Sequence, residues 1–364
     1  SGLATTLNVL EAEIDTILAW AIGYDTDDDD GDDLTNDNRA DIFGDPLHSK
    51  PLVLNYGGSD TDQDVRIIVG TKSGVLHMFD DNGDTVDENW AFIPKEFFPK
   101  IKKLRENFTS SGKTYGIDSP AISYLLDVNG DGSIDSTDGD KAWIFFGLRR
   151  GGSSYYALDI SDPDKPELLW HIDASTPKFT HLGQSWSQPR LGYSAVNIVN
   201  GKPKPVLFFA GGYDTTKDNL SVGSGDTLGH AIYMVDAATG TLKWGISPED
   251  TSDTNTQYTG ITDSIPSSVA TLDSDSDGLT DRLYFGDTGG NLWRVDMPGD
   301  NPFSGTTPWT IFKLAELGGT TDETDRRFFS EPSIARTFIS DTIETTTVDA
   351  DGNSTTVVTQ QERP

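Results

Sequence analysis

Residues 284–296 read YFGDTGGNLWRVD: a strand-forming run, a glycine turn, and a second run that ends in an apolar residue followed by Asp296. The same order of features occurs three more times, at 68–80, 145–159 and 209–236. Glycine supplies the backbone conformations that hairpin turns require, and the flanking β-branched and aromatic residues favour strands. The repeat therefore predicts a fold built from hairpins.

Each hairpin is flanked by two further recurring segments. A run containing tryptophan follows it, at Trp90, Trp170, Trp244 and Trp309. A segment of small residues and proline precedes it and also heads a fifth unit, at 48–51, 118–120, 187–189, 265–267 and 330–332. Five such four-strand units predict an all-β fold, a modified β-propeller with five to seven blades and long insertions between strands. We expect the tryptophans to pack between neighbouring blades.

Several strand candidates, such as 142–146 and 205–209, are apolar throughout rather than alternating. Continuous apolar runs predict strands that are covered on both faces, as when sheets stack face to face. The glycines and the recurrent aspartates at the corners, Asp80, Asp159, Asp236 and Asp296, are therefore interpreted as structural residues that fix turns or neighbouring backbone.

The N-terminal part of the chain has a different pattern. Apolar residues at spacings of three and four over 7–22 predict one short amphipathic helix, so 1–24 is interpreted as a helical lead-in. Residues 25–45 hold ten aspartates and one arginine and are interpreted as an acidic linker. The propeller is assigned to 46–364, with its last blade expected to be incomplete. The chain begins at Ser1 rather than Met, which indicates a piece of a longer protein.

The composition excludes several classes of protein. With 27 Lys and Arg against 59 Asp and Glu, the net charge of −32 repels phosphate, so nucleic acid and anionic lipid are poor partners. The absence of cysteine rules out disulfides, thiolate zinc sites and thiol catalysis. No run approaches the roughly 20 apolar residues of a membrane span. Of the acids 47 are Asp, a residue typical of turns and of loops that bind hard cations.

Two acidic loops share one spacing, with oxygen-bearing side chains at positions 1, 3, 5 and 9, glycine at position 6, and a backbone carbonyl available at position 7. In the first loop these residues are Asp127, Asn129, Asp131, Ser133 and Asp135; in the second they are Asp273, Asp275, Asp277, Leu279 and Asp281. Calcium requires six to eight oxygen ligands, and this spacing curls them around one point. Both loops are therefore predicted to bind Ca²⁺.

Neither loop is an EF-hand, because position 12 is Asp138 in one and Tyr284 in the other, not a glutamate, and a strand follows rather than a helix. A metal-free hairpin rich in Asx turns remains the alternative for each. In the third acidic stretch, 25–33, Gly31 falls out of register, which favours a solvated linker there.

Catalytic patterns are scarce. The five histidines are scattered without metal-ligand spacing, and there is no nucleophile elbow, phosphate loop or dinucleotide fingerprint. The sequence predicts a protein that is not an enzyme.

Several longer motifs resemble the C-terminal propeller of the PilY/PilC family of type IV pilus tip and biogenesis proteins. They include 76–80 followed by 90–94, 151–159, 182–189, and above all 273–281 running into 284–294. The resemblance covers about 40–340 in the correct order.

The resemblance implies an exported protein at the pilus tip, the outer membrane surface or outside the cell. It implies roles in pilus assembly, retraction control, twitching motility and adhesion, and partners among the minor pilins of the pilus tip complex. Family members bind Ca²⁺ in a loop of the kind that both acidic loops fit. The family's variable N-terminal adhesive region is absent, so the sequence indicates no adhesion receptor.

Two other interpretations of the function remain open. Residues 233–244 are similar to the docking motif of quinoprotein dehydrogenases, whose propellers hold a quinone cofactor with Ca²⁺, although the vicinal cysteine pair of many such enzymes is impossible here. The other is a propeller that serves as a general protein-interaction scaffold without any pilus.

Overall fold

The computed structural model describes residues 2–39, 42–59, 61–107, 113–304, 306–335, 339–348 and 354–363. Its main feature is a series of antiparallel sheets whose strands follow one another in sequence order, each of which we call a blade. Blade 1 consists of β1 Leu52–Ser59, β2 Asp62–Gly70, β3 Leu76–Asp81 and β4 Val86–Phe92. Blade 2 consists of β5 Ile122–Leu126, β6 Lys141–Gly147, β7 Ser154–Asp159 and β8 Glu167–Asp173.

The next two blades repeat this order. Blade 3 consists of β9 Arg190–Val199, β10 Lys202–Ala210, β11 Ile232–Asp236 and β12 Leu242–Ser247, and it gains a parallel edge strand, β13 Asn255–Gln257. Blade 4 consists of β14 Ala270–Leu272, β15 Arg282–Gly286, β16 Asn291–Asp296 and β17 Thr310–Glu316. The repeated hairpins and the all-β propeller class predicted from the sequence are confirmed.

Three hydrophobic cores fill the spaces between successive blades, and the second strand of a blade contributes to two of them. In β6, Ile144 and Phe146 pack toward blade 1, whereas Phe145 between them packs toward blade 3. In β10, Phe209 packs toward blade 2 and Phe208 toward blade 4. Because successive side chains of a strand point to opposite faces, a strand between two blades needs apolar residues at every position.

The tryptophans join neighbouring blades as expected. The Trp90 indole donates to the carbonyl of Pro163 at 2.9 Å, which links blade 1 to the β7–β8 connection of blade 2. The Trp170 indole donates to the carbonyl of Ala237 at 2.8 Å, which links blade 2 to blade 3. Trp244 and Trp309 pack edge to face in the core between blades 3 and 4.

The segments of small residues and proline form a recurring hydrogen bond to their own blade. A serine hydroxyl accepts a hydrogen bond from the end of the second strand of the same blade, at 3.0 Å in each of three blades. The pairs are Ser49 with the Gly70 amide, Ser187 with the Ala210 amide and Ser267 with the Gly286 amide. The recurrence of serine beside proline thus reflects a repeated backbone partner.

The corner aspartates divide into two roles. Asp159 accepts from the Ser161 amide and Asp236 from the Ala238 amide, as turn-fixing residues do. Asp80 and Asp296 instead lie beside arginine side chains, at 3.3 Å from Arg66 and 2.8 Å from Arg294 respectively.

The prediction of one N-terminal helix over 7–22 is wrong. The chain forms α1 Gly2–Leu7, a short 3-10 turn and α2 Ile14–Ala21. Asn8 has a positive φ of 55° and Leu10 is extended, so α1 ends at Leu7 and helical structure resumes only at Glu11. The Glu13 carboxylate accepts the Leu10 amide at 2.8 Å and starts the second helical segment, as in the return half of a capping box.

A further helical segment, at 95–106, was not predicted from the sequence. A 3-10 helix at Lys95–Lys100 runs into α3 Ile101–Glu106, and Ile101 packs with Leu7 and Ile17 in a small core of their own. Burial raises the pKa of Glu96, but hydrogen bonds from His171, Ser154 and Tyr156 outweigh it and lower that pKa to about 2. These bonds anchor the segment to blade 2.

The described residues contain four blades, fewer than the five to seven expected. The fifth segment of small residues and proline is present and Glu331 pairs with Arg190 of β9, but no glycine-turn hairpin of the repeat type follows it. A second compact unit, 333–364, holds the antiparallel pair β18 Ile339–Val348 and β19 Ser354–Arg363. Their predicted hairpin tip at 349–353 lies outside the described residues. In the described part, no helix is long and apolar enough to cross a bilayer.

Candidate calcium loops

The two predicted calcium loops occupy equivalent places in the fold. The first acidic loop, 127–135, joins β5 to β6 in blade 2, and the second acidic loop, 273–281, joins β14 to β15 in blade 4. The residue at position 8 of each loop donates its amide to the first strand of the preceding blade. Ile134 donates to the Tyr56 carbonyl at 2.8 Å, and Thr280 to the Tyr193 carbonyl at 2.9 Å. Each loop therefore reaches across a junction between blades.

The first aspartate organises each loop through backbone amides. Asp127 accepts from Gly130 at 2.6 Å and from Gly132 at 2.9 Å. Asp273 accepts from the corresponding residues, Ser276 at 2.6 Å and Gly278 at 2.8 Å. The position-6 glycines have φ of +86° and +88°, a region where other residues are strained. This is the reason why glycine recurs at that position.

The side chains at positions 3 and 5 repeat the pattern two residues further on. Position 3 accepts from the amide of position 5, through Asn129 in the first loop and Asp275 in the second. Position 5 accepts from the amide of position 7, through Asp131 at 2.8 Å and Asp277 at 2.7 Å. These two successive Asx turns, together with the bonds of the position-1 aspartate, curl the backbone of both loops in the same way.

The second loop brings carboxylates together. Oxygen atoms of Asp273, Asp275 and Asp281 lie within 4.8 Å of one another. Ligand oxygens at 2.3–2.6 Å from a calcium ion lie within about 5 Å of each other, so the three carboxylates fit a hard cation of that size. Asp277 stays outside this group and holds the Leu279 amide. Asp281 is fixed by the Ser274 amide and hydroxyl, both at 2.6 Å.

The first loop has the same backbone but a different arrangement of side chains. Asp135 accepts from the Thr137 amide at 2.8 Å and so caps the following 3-10 turn. The Asn129 amide group donates to Asp131 and Asp138, each at 3.1 Å. Ser133 lies against Gly57, which fixes the loop on β1. In the described ranges, Asp127, Asp131 and Asp135 do not form a converging group of three carboxylates.

Both position-1 carboxylates are held in the ionised form. Hydrogen bonds from the amides of Gly132 and Gly130 lower the pKa of Asp127. The Gly278 amide, followed by that of Ser276, lowers the pKa of Asp273. A loop whose carboxylates ionise readily and converge repels itself unless a cation is bound.

The acidic stretch near the N-terminus shares this geometry in a register that begins at Asp28 rather than Asp25. When positions are counted from Asp28, its carboxylate accepts from the position-6 amide, of Asp33, at 3.1 Å. Gly31 and Asp33 both have positive φ, as the residues at positions 4 and 6 do in the other loops. Oxygens of Asp28, Asp30 and Asp32 lie within 4.8 Å of one another. In this register Asp33 stands at position 6 in place of glycine, and Gly31 falls at position 4.

The segment 233–244, which is similar to a quinoprotein docking motif, packs against Trp170 at the junction between blades 2 and 3. Gly240 lies so close to the Trp170 ring that an added Cβ would be 2.9 Å from it, and the Ala237 carbonyl accepts the Trp170 indole. Four of the histidines lie beside carboxylates: His48 with Asp118, His77 with Glu88, His171 with Glu96, and His181 with Glu249.

A family model described as the PilY1 beta-propeller domain matches residues 44–316. The chain belongs to the PilY1 β-propeller family. The matched region starts before β1 and ends at the last residue of β17, so it takes in all four blades and both predicted calcium loops. The family resemblance expected from the sequence motifs is confirmed.

Relatives with similar sequences also carry the PilY1 name. Type IV pilus biogenesis factor PilY1 of Pseudomonas aeruginosa (strain UCBPP-PA14) is 30% identical over 297 residues, which cover 74% of this chain and 22% of the relative. A PilY1 homolog of Xylella fastidiosa (strain Temecula1) is 27% identical over 248 residues, which cover 65% of this chain and 14% of the relative. The chain thus spans less than a quarter of the length of these PilY1 relatives.

The crystal structure of the P. aeruginosa PilY1 C-terminal domain is 26% identical in sequence to this chain and matches it with a TM-score of 0.49, over 75% of this chain and 50% of that chain.

Proposed function

We propose that this PilY1 propeller is the calcium-binding, surface-exposed part of a type IV pilus tip and biogenesis protein that acts without catalysis. In this role it takes part in pilus assembly, retraction control, twitching motility and adhesion, outside the cell or at the outer membrane surface, in contact with minor pilins. The observation that carries the proposal is the converging trio Asp273, Asp275 and Asp281 in blade 4 of a chain of this family.

In the second loop, the carboxylates at positions 1, 3, 5 and 9 would hold the ion together with the Leu279 carbonyl. In the first loop, the corresponding ligands are Asp127, Asn129, Asp131, Asp135 and the Ser133 carbonyl. The ion supplies positive charge that offsets the repulsion between the carboxylates. The Thr280 and Ile134 amides donate to the preceding blade, so a loop that is ordered by the ion also holds that blade in place. Occupancy thereby biases the pilus between extension and retraction.

Calcium binding is tested by isothermal titration calorimetry on the parent chain, Asp275→Asn and Asp131→Asn. In both variants the amide oxygen can still accept the hydrogen bond that the carboxylate accepts, while one charge is lost. We expect each change to weaken or remove one binding event, by about tenfold or more, because calcium affinity depends on the number of charged ligands. The exposed Asp300→Asn is the matched control and leaves the titration unchanged. Unaltered titrations for both loop variants would show that the loops are not calcium sites.

The pilus role is tested in the bacterium that produces the protein containing this chain. We expect the protein in the sheared pilus fraction, its loss from that fraction in a strain without the major pilin, and reduced surface pili when its gene is deleted. Immunoblots and electron microscopy measure these outcomes. Normal piliation after deletion, with no protein in the pilus fraction, would contradict the proposal. That result would favour a general interaction scaffold.

A further inference from the structure

A cavity of about 330 Å³ lies between the β2–β3 turn of blade 1, α3 and the corner that follows β6 in blade 2. Four of its lining residues are cations, namely Lys72, Lys103, Lys113 and Arg150, and one is a carboxylate, Asp45. The whole chain has 27 cations against 59 acids. The cavity therefore has the opposite sign of charge from the protein that contains it, and this local excess requires a separate explanation.

Two of the cations are fixed by ion pairs at the edge of the cavity. The Lys72 ammonium lies 2.6 Å from Asp45. The Arg150 guanidinium donates to Asp118 at 2.6 Å and lies over the Tyr115 ring, 4.0 Å from its centre. Lys72 and Arg150 are thus each paired with one carboxylate, Asp45 and the fully buried Asp118 respectively. Arg150 is thus held in place before any ligand arrives, which reduces the entropy lost on binding.

The chemistry of the walls defines the ligand. Ammonium and guanidinium groups pair with carboxylates through charge-assisted hydrogen bonds, and Leu47 and Leu104 add an apolar surface beside them. The volume suits two or three side chains rather than a long polyanion. The net charge of −32 repels nucleic acid and anionic membranes at a distance, whereas a short acidic segment is attracted locally once it enters the cavity.

We propose that this cavity is a docking site for a short acidic peptide segment of a partner protein, whose carboxylates pair with Lys72, Lys103, Lys113 and Arg150. The four cations come from separate segments of the chain that only the fold brings together. The proposal depends neither on calcium nor on the pilus role. The lining residues of the cavity belong to neither calcium loop, although Lys113 and Arg150 lie 14 and 15 residues from the two ends of the first one.

The test uses fluorescence anisotropy with a labelled hexaglutamate peptide and the full chain, at a fixed calcium concentration because free carboxylates bind the ion. We expect saturable binding that weakens as salt is raised, and no binding of hexaglutamine. The double variant Lys72→Gln/Lys113→Gln should lose affinity by about tenfold or more, because two charge-assisted contacts are removed. The matched control, Lys202→Gln/Lys204→Gln on exposed positions of β10, lowers the net charge equally and should bind like the parent.

Three results would overturn the proposal: equal binding of hexaglutamate and hexaglutamine, equal losses in the two double variants, or binding to phosphatidylserine vesicles in place of the peptide. Melting curves check that each variant is folded. If the double variant is destabilised, the single change Lys113→Gln at an exposed position replaces it, with Lys202→Gln as control. Binding that this single change leaves intact would equally reject the site.

Discussion

We expect Lys217→Ala to lower the free energy of unfolding by about 3–5 kcal/mol, the usual loss when one member of a buried ion pair is removed. The Lys217 side chain is only 3% exposed, and its ammonium lies 2.5 Å from Asp263 and 3.4 Å from Asp226. It also donates to the Ser224 carbonyl at 2.7 Å. Without the ammonium, two carboxylates would face each other in the interior with no cation between them.

The damage would extend across a blade junction. The second oxygen of Asp226 accepts from the Ser264 amide at 2.7 Å and the Thr288 hydroxyl at 3.0 Å, both in the part of the chain that forms blade 4. Urea unfolding followed by tryptophan fluorescence measures the change. Lys204→Ala, at an exposed position, is the control and should stay within about 0.5 kcal/mol of the parent. A loss for Lys217→Ala as small as that of the control would show that the buried pair contributes little.

We expect Gly212→Ala to destabilise the fold by about 3–5 kcal/mol or to prevent folding. Gly212 has a φ of +88°, and a Cβ there would lie 1.9 Å from the Gln184 carbonyl oxygen. Its amide donates to the Ile265 carbonyl at 3.1 Å, while the neighbouring Tyr213 and Gln184 exchange two backbone hydrogen bonds. The added methyl would push apart backbone segments that meet where blades 3 and 4 begin.

Gly201→Ala separates the effect of the contact from that of the backbone angle. Gly201 has a similar φ of +73°, but it lies in the β9–β10 turn and an added Cβ there would meet nothing within 4 Å. The left-handed conformation alone should cost about 1 kcal/mol. Urea unfolding of both variants gives the comparison. Equal losses at the two positions would mean that the close approach at Gly212 is tolerated by a backbone shift.

The sequence predicted the blades well because their signals are local and repeated. A strand such as β6, apolar at nearly every position, is recognisable since both of its faces are covered, and Ser187 or Ser267 marks the same hydrogen bond in successive units. The break in the N-terminal helix was not predictable from apolar spacing. It depends on the conformation of Asn8 and on the Glu13 cap.

The structure of the two acidic loops was likewise predictable only in part. Positions 1, 3, 5 and 6 of each loop fix the Asx turns and the glycine conformation, so their backbone follows from the spacing alone. Whether the carboxylates converge depends on neighbours outside the loop, such as Asp138 and Thr137 in the first one. The basic cavity had no sequence signal, because its cations are far apart along the chain. The segment 330–332 repeats the signal that precedes each blade, but a short signal of this kind does not show whether four strands follow, and the described residues contain four complete blades.

The contacts of Ile134 and Thr280 place the two loops at alternate junctions, between blades 1 and 2 and between blades 3 and 4. The matching connection in blade 3 is the tight turn between Val199 and Lys202. Ions in both loops would thus brace every second junction. Under a pulling force the junctions carry load in series, so the unbraced junction between blades 2 and 3 would be the most compliant. The extension of the four blades under force would then depend on the aromatic packing of Phe145, Phe209 and Tyr155 rather than on calcium.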